Sequence, residues 1–346
     1  MMADWELLEK LCGARGVSGK EDEVRELIVK EITPFADKIE ITPLGGVIAY
    51  KSGEKRAKTK LMLAAHMDEV GLTVTHITDE GLLRISSVGG VDPRVLPGRQ
   101  VLVGKKAIPG VVGVKPIHVL KKDELEKRVP MEELYLDIGA LTEEEAEAAV
   151  CPGDEATFVS RFCAQNGTVS SKALDDRAGC ALLIGLMKKE LKYDAVFAFT
   201  VQEEVGSAGA KTSAFAVEPD AAIVVEATTA ADVPGTEKGK EVCRLGCGPA
   251  ISFMDKGTIY DAEYYGMALR SAEKAGVRCQ PKQAVAGGND AGVIHVSRGG
   301  VRTVAVSLPC RYLHAPVGVI SQEDFHAAED LLALLAGKIA GKAQPC

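Results

Sequence analysis

Runs of small apolar residues in this sequence end in histidines and acidic residues, and these are the groups that could do chemistry. The clearest case is "LMLAAHMDEVGL", residues 61–72, where His66, Asp68 and Glu69 follow an apolar run typical of a buried strand. Burying such groups without partners would cost roughly several kcal/mol each. We therefore expect the rest of the chain to supply partners for them.

The same arrangement recurs along the chain. Acidic residues or a histidine follow the predicted strands that start near residues 195, 221 and 301, and two aspartates precede a predicted helix. These residues are Glu203 with Glu204, Glu226, His314, and Asp175 with Asp176. Ligand sites of open α/β sheets gather beyond the carboxyl ends of the strands, so these side chains could meet although they are far apart in sequence.

Two histidines and three carboxylates suit Zn²⁺, Co²⁺ or Mn²⁺. They suffice for two metals if one carboxylate bridges, and metals about 3.5–4 Å apart form a hydrolytic centre. A further carboxylate would be the base, and the adjacent pair Glu203 and Glu204 could divide the two tasks. Asp68 could hold the second nitrogen of His66. Each feature alone also has an ordinary structural explanation, such as a core histidine or an acidic helix start.

The elements that must position these groups fall into two kinds. Two helices open the chain, the second with Ser18 and Glu21 in capping-box spacing. A hairpin around Gly45 and the strand ending at His66 follow. From about residue 70 to 162, short strand candidates separated by Gly and Pro indicate an all-β segment with one short helix. After about residue 168, apolar strands alternate with helices, which predicts a largely parallel sheet.

Composition excludes several classes of protein. The chain has 346 residues, a net charge of −8 and no Lys/Arg-rich run, which argues against nucleic acid as a partner. No apolar run approaches the ~20 residues needed to cross a bilayer, and the acidic start "MMADWELLEK" lacks the pattern of a signal peptide. We therefore expect a cytoplasmic protein that does not bind a membrane.

In combination, these motifs resemble the glutamyl aminopeptidase family of cocatalytic metallopeptidases. That family includes the tetrahedral aminopeptidases and members named endoglucanase or cellulase M. The matching segments are "AHMDEVG", "KPIHVL", "DIGA", "PGD", "SKALDDRAG", "QEEVGSAGA", "TTAADVPG", "GGNDAGVIH" and "RYLHAPVGVIS". They extend over essentially the whole chain, so the resemblance applies to all of it.

The resemblance implies a role for each residue. Asp175 would bridge two metal ions, next to a cis peptide bond to Asp176, and Glu203 would be the general base. Asp68 would support His66 from behind. The remaining ligands would be His66 and Glu226 on the first metal, and Glu204 and His314 on the second.

The chain departs from the family pattern at two places. Many members have Asp where this chain has Glu226, and Asp232 is the alternative fifth ligand. The "GGNDAG" segment has Asn where Thr is common. The weaker substrate-contact candidates are Gly288 and Asp290 in that loop and Tyr312 near His314, while Gly287 and His118 have open roles.

The implied fold is a phosphorylase/hydrolase-like α/β domain, residues 1–69 and 165–346, with a β-barrel insertion, residues 70–164. The implied activity is a metal-dependent aminopeptidase acting on peptides with a free amino terminus. Two ions per subunit are expected, Zn or Co or Mn, in a homo-oligomer that the resemblance makes a dodecamer. The alternatives are a deacylase or carboxypeptidase on the same centre, a glycosidase, or a non-catalytic scaffold.

Overall fold

The computed structural model describes residues 4–122, 126–237 and 239–343. Its α-helices are α1 (Trp5–Gly13), α2 (Asp22–Ile32), α3 (Glu143–Glu147), α4 (Leu174–Met187), α5 (Ala208–Val217), α6 (Ala262–Ala275), α7 (Ala291–Ile294) and α8 (Gln322–Ala340). The strands before residue 160 are β1 (Lys38–Ile41), β2 (Val47–Lys51), β3 (Leu61–His66), β4 (Gly71–Ile77), β5 (Leu83–Val88), β6 (Gln100–Val103), β7 (Ile108–Gly113), β8 (Tyr135–Asp137) and β9 (Glu155–Phe158). The later strands are β10 (Cys163–Gln165), β11 (Thr168–Ser171), β12 (Ala195–Thr200), β13 (Ala221–Thr229), β14 (Ala250–Ile251), β15 (Gln280–Pro281), β16 (Arg302–Arg311) and β17 (Gly318–Ser321).

A large mixed sheet forms the centre of the molecule. Its strand order is β1-β2-β12-β3-β13-β16-β17-β11-β10, with β14 and β15 attached at β16. The four central strands β12, β3, β13 and β16 run parallel to one another, so their carboxyl ends lie at one edge. These strands are almost entirely buried and rich in Ala and Val, as expected for a parallel sheet covered on both faces.

Helices cover both faces of this sheet. Leu61 and Leu63 of β3 point into the larger core, which also contains buried residues of α1, α2, α4, α6 and α8. Met62 and Ala64 point to the opposite face, where buried residues of α5 and α7 pack. This alternation is the period of two that a strand imposes on its side chains.

A closed barrel interrupts the large sheet in sequence. Its strand order is β4-β5-β8-β7-β6-β9, all within residues 71–158, and it has a separate apolar core around Leu72, Leu83 and Val112. The predicted fold class, a mixed sheet between helices with an inserted barrel, is therefore confirmed. The division into residues 1–69 with 165–346 and residues 70–164 stays a prediction.

Two local predictions are wrong. Helix α2 starts at Asp22, and Ser18 does not cap it, because its hydroxyl donates to the carboxylate of Asp68 instead. The strand from Ala221 does not end at Glu226 but continues to Thr229, because it pairs with β16 over that whole length. Among the described helices, none is long and apolar enough to cross a membrane.

Candidate metal centre

The histidines and acidic residues singled out in the sequence meet at the carboxyl edge of the parallel strands. His66 is the last residue of β3, and Glu203 and Glu204 lie in the turn that follows β12. Glu226 lies inside β13, three residues before its end, and His314 follows β16. The strand order β12-β3-β13-β16 makes these positions neighbours in space.

Three side chains form the first ligand group. Nε2 of His66 lies 3.2 Å from Oδ1 of Asp175 and 3.3 Å from Oε1 of Glu226. The His66 ring is 2% exposed, so its position is fixed by the surrounding core. His66, Asp175 and Glu226 thus present three ligand atoms that converge on one point.

A second ligand group shares Asp175 with the first. Nε2 of His314 lies 3.4 Å from Oδ2 of Asp175 and 3.4 Å from Oε2 of Glu204. The other ring nitrogen of His314 lies 3.2 Å from the carbonyl oxygen of Gly90, in the connection between β5 and β6. Asp175 therefore directs one carboxylate oxygen to each group, which is the arrangement of a bridging ligand.

The backbone around Asp175 departs from helical geometry. The Asp175–Asp176 peptide bond is cis, as the resemblance implied, and both residues have non-helical dihedral angles at the start of α4. Asp176 folds back so that Oδ1 accepts the N–H of Gly179 at 3.0 Å. A Cβ at position 179 would lie 2.4 Å from the Asp176 carboxylate, so a larger residue there would displace that side chain.

Asp68 connects His66 to the turn that carries the two glutamates. Nδ1 of His66 lies 3.4 Å from Oδ1 of Asp68 and 3.1 Å from the Asp68 carbonyl oxygen. The same carboxylate accepts the backbone N–H groups of Glu203 at 3.0 Å and Glu204 at 3.1 Å, and the Ser18 hydroxyl at 2.6 Å. These hydrogen bonds therefore fix the position of the Asp68 carboxylate beside His66.

The charges of the centre act strongly on its histidines. Burial would lower the pKa of His66, but the charge of Glu226 and hydrogen bonds with Asp175 and Asp68 outweigh it and raise that pKa. Burial would also lower the pKa of His314, but the hydrogen bond with Asp175 and the charge of Glu204 outweigh burial and raise that pKa to about 9. Each imidazole ring therefore lies among more negative charge than its own positive charge would neutralise.

The carboxyl groups show the complementary effect. Burial and neighbouring acids raise the pKa of Glu204 to about 7 and of Glu203 to about 8. Burial with the charges of Asp175 and Asp176 raises the pKa of Glu226 well above its usual value. Burial would raise the pKa of Asp175, but hydrogen bonds with His314 and His66 outweigh burial and lower that pKa.

This donor set fits divalent metal ions. Six carboxyl groups and two imidazoles meet here: Asp68, Asp175, Asp176, Glu203, Glu204, Glu226, His66 and His314. Even with both rings protonated, the ionised cluster would carry excess negative charge in a buried place, which is costly without a cation. Imidazole with carboxylate oxygen is the ligand chemistry of Zn²⁺, Co²⁺ and Mn²⁺.

Glu203 occupies a different position from the ligand groups. It lines a cavity of about 250 Å³ together with Asp175, Glu204, Glu226 and His314. Its carboxylate accepts no hydrogen bond from the described residues, and the structure does not place it in either ligand group. A carboxylate that faces the cavity without a partner is suited to exchange protons there.

The structure separates the remaining candidates. Asp232 accepts two hydrogen bonds from Arg311, at 2.7 and 2.8 Å, and belongs to neither ligand group. Gly288 lines the cavity, whereas Asp290 does not line it and accepts the Thr200 hydroxyl at 2.5 Å. Tyr312 is 58% exposed and lines a small cleft beside His314 and the barrel. His118 is exposed in a short turn of the barrel segment and belongs to neither ligand group.

Sequence reasoning missed a buried ion group behind the centre. Nζ of Lys172 donates to Glu69 at 2.7 Å, and Arg177 lies 3.4 Å from the same carboxylate. Arg177 also donates to the carbonyl oxygen of Met67 at 2.6 Å, so it ties the end of β3 to the start of α4. The signal was present, because Lys172 and Arg177 flank the two aspartates in "SKALDDRAG".

Comparisons with known proteins agree with this geometry. The family model of the M42 glutamyl aminopeptidases matches residues 45–331. A putative aminopeptidase of Acetivibrio thermocellus is 42% identical, covering 95% of this chain and 97% of its own. The lysyl aminopeptidase of Pyrococcus furiosus is 34% identical over 93% and 94% of the two chains, and the glutamyl aminopeptidase of Lactococcus lactis 32% identical over 94% and 95%.

Solved structures give the same result for the fold. A TET aminopeptidase from a marine sediment archaeon, Thaumarchaeota archaeon SCGC AB-539-E09, superimposes with a TM-score of 0.92. It is 35% identical to this chain, over 97% of this chain and 96% of that one. PhTET1-12s, solved as a dodecamer in the asymmetric unit, has a TM-score of 0.84 and 38% identity over 97% and 99% of the two chains.

Proposed function

This chain belongs to the M42 glutamyl aminopeptidase family and is a metallo-aminopeptidase, and from that premise we propose how its centre works. It removes the first residue from peptides with a free amino terminus, using two divalent metal ions and Glu203 as general base. The observation that supports this most is Asp175, which directs one oxygen to each of two ligand groups while Glu203 faces the cavity beside them.

Five side chains would hold the metal ions. His66 and Glu226 would bind one ion, Glu204 and His314 the other, and Asp175 both. Bound there, the ions would polarise the peptide carbonyl and lower the pKa of a water molecule. Zn, Co and Mn use such ligands alike, so the donor set does not distinguish them.

Glu203 would take the proton from the attacking water and pass it to the leaving amine. Burial and the neighbouring acids raise its pKa, which favours a carboxyl group that can both accept and return a proton. Asp68 would keep Glu203 and Glu204 in place through their backbone N–H groups and keep the His66 ring oriented.

The variant Glu203→Gln tests this assignment. We expect it to bind metal as the wild type does but to lose about 10²–10⁴-fold in kcat, the range that general acid–base catalysis contributes. Metal content after gel filtration and kcat on a free-amino peptide are the two measurements. Near-normal kcat with normal metal content would mean that Glu203 is not the base.

We also propose that the chain assembles as a dodecamer. The support is its likeness to PhTET1-12s, which was solved as one, and exposed apolar side chains such as Ile117, Leu141 and Ile259 that an assembly could cover. Light scattering on the purified protein should give about twelve times the chain mass of 36.5 kDa. A mass of one or two chains at micromolar concentration would contradict the proposal.

A further inference from the structure

The second ligand group receives a contact from the barrel that the first does not. Nδ1 of His314 lies 3.2 Å from the carbonyl oxygen of Gly90, in the connection from β5 to β6. We propose that Gly90 is a positioning residue through which the barrel sets the affinity of the centre for its second metal ion. The inference rests on the proposed two-ion centre, since it concerns one of the two ligand groups.

The Gly90 carbonyl determines which nitrogen of His314 can bind a metal ion. A carbonyl oxygen only accepts hydrogen bonds, so Nδ1 of the ring must carry the proton that this oxygen receives. In the neutral ring, Nε2 then offers its lone pair, and it lies 3.4 Å from both Asp175 and Glu204. A hydrogen bond to the other ring nitrogen orients a metal-binding imidazole and raises its basicity.

The loop that carries His314 depends on contacts from outside it. Tyr312 and His314 have positive φ angles of 60° and 59°, which residues other than glycine rarely adopt. Such conformations persist where the surrounding structure holds them. The His314 side chain is 34% exposed, whereas the His66 side chain is 2% exposed and fixed by the core. The hydrogen bond to Gly90 therefore matters more for His314 than a single contact does for His66.

The same connection also packs against Glu204, the other side chain of the second group. Gly89 has a φ of +78°, and a Cβ there would lie 3.2 Å from Cβ of Glu204. A Cβ on Gly90 would lie 3.1 Å from Nδ1 of His314. Two adjacent glycines thus let the barrel backbone approach both side chains closely.

The first ligand group does not share this dependence. His66 ends β3, Glu226 lies inside β13 and Asp175 lies at the start of α4, so all three are outside the barrel. Among the described residues, none of the barrel strands or their connections forms a hydrogen bond with His66 or Glu226. A change at Gly90 should therefore weaken one ion and spare the other.

Gly90 could instead serve only to close the connection between β5 and β6. A purely structural glycine and a positioning residue make different predictions. Loss of a structural glycine would destabilise the barrel and lower the affinity for both ions by the same factor. Loss of a positioning contact would separate the affinities for the two ions.

The test is a two-step titration of chelator-treated protein with Co²⁺, comparing Gly90→Ala with the wild type. The added Cβ should push the His314 ring away from the carbonyl and lower the affinity for one ion about 10- to 100-fold, the usual effect of changing an outer-shell partner. The affinity for the other ion should stay as in the wild type. The matched control is Gly113→Ala in β7, where the nearest atom would be 3.9 Å away, and it should bind both ions normally.

A double variant identifies the affected ion and guards against misfolding. His314→Ala removes the only side chain that the added Cβ on Gly90 would meet within 4 Å. Adding Gly90→Ala to His314→Ala should therefore change neither the affinity for the remaining ion nor the urea midpoint. Interaction of this kind between two substitutions is the signature of direct coupling.

Three results would overturn the inference. The first is Gly90→Ala binding both ions as tightly as the wild type, and the second is equal weakening of both ions. The third is an effect of Gly90→Ala, on folding or on metal binding, that persists undiminished when His314 is already Ala. A wild-type protein that binds fewer than two ions would instead overturn the proposed two-ion centre, and this inference with it.

Discussion

At the scale of single residues, Asp175 and Asp68 have different roles in the same metal centre. Asp175 faces both ligand groups, so its loss would affect both at once. Asp68 does not line the cavity and is not part of the second ligand group. Its carboxylate instead lies beside the His66 ring and accepts the backbone N–H groups of Glu203 and Glu204. One carboxylate thus joins the two ligand groups, and the other fixes the elements that present them.

The fifth ligand can be identified by a matched pair of acid-to-amide variants. We expect Glu226→Gln to lose about one equivalent of bound metal, because its carboxylate lies 3.3 Å from His66 in the first ligand group. Asp232→Asn should keep the wild-type metal content, because Asp232 is paired with Arg311 outside the centre. Metal-to-protein ratios by atomic emission are the measurement. The reverse pattern would make Asp232 the ligand.

The sequence predicted the candidate ligands better than the residues that surround them. His66, Asp175 and Glu204 stand next to predicted strand ends or helix starts, where ligand groups collect, so position and residue type together pointed to them. The ion group of Glu69, Lys172 and Arg177 was missed as a unit, because Glu69 lies more than a hundred residues before the other two and pairs with them only after folding. Ser18 and Asp68 are 50 residues apart, and this separation hid the hydrogen bond between them.

At the scale of elements, helix α5 must approach the end of β12 closely to place the turn with Glu203 and Glu204. Gly209, in the first turn of α5, donates its N–H to the carbonyl oxygen of Val201 at 3.0 Å. A Cβ on Gly209 would lie 2.5 Å from the backbone nitrogen and oxygen of Val201. Backbone atoms cannot turn away as a side chain can, so the turn itself would have to move.

We therefore expect Gly209→Ala to lower the free energy of unfolding by about 1–3 kcal/mol, the usual effect of overpacking, and to weaken metal binding. Gly185→Ala is the matched control, because Gly185 lies inside α4 with no neighbouring atom closer than 3.9 Å to the added Cβ. The control should be stabilised by up to about 1 kcal/mol through helix propensity. Urea unfolding and metal titration check both. Equal behaviour of the two variants would contradict this account of α5.

At the scale of the whole molecule, periodicity predicted the architecture well. Continuous apolar strands between helices indicated the covered parallel sheet, and short strands with Gly and Pro between them indicated the barrel. The sheet order was not predictable, because β2 pairs with β12 across more than a hundred residues and no local pattern encodes that choice. Very short elements such as β14, β15 and α7 were missed because a few residues carry too little periodicity. The cytoplasmic location stays a prediction.

The central claim is that this molecule is a metal-dependent aminopeptidase, and a digest followed by mass spectrometry tests it most directly. Matched peptides with free and acetylated amino termini are incubated with Zn²⁺ or Co²⁺, and in parallel with a chelator. We predict stepwise loss of residues from free amino termini only, and no cleavage after chelation. Cleavage of acetylated peptides, release from the carboxyl end, or full activity with the chelator would contradict the account and favour another hydrolase.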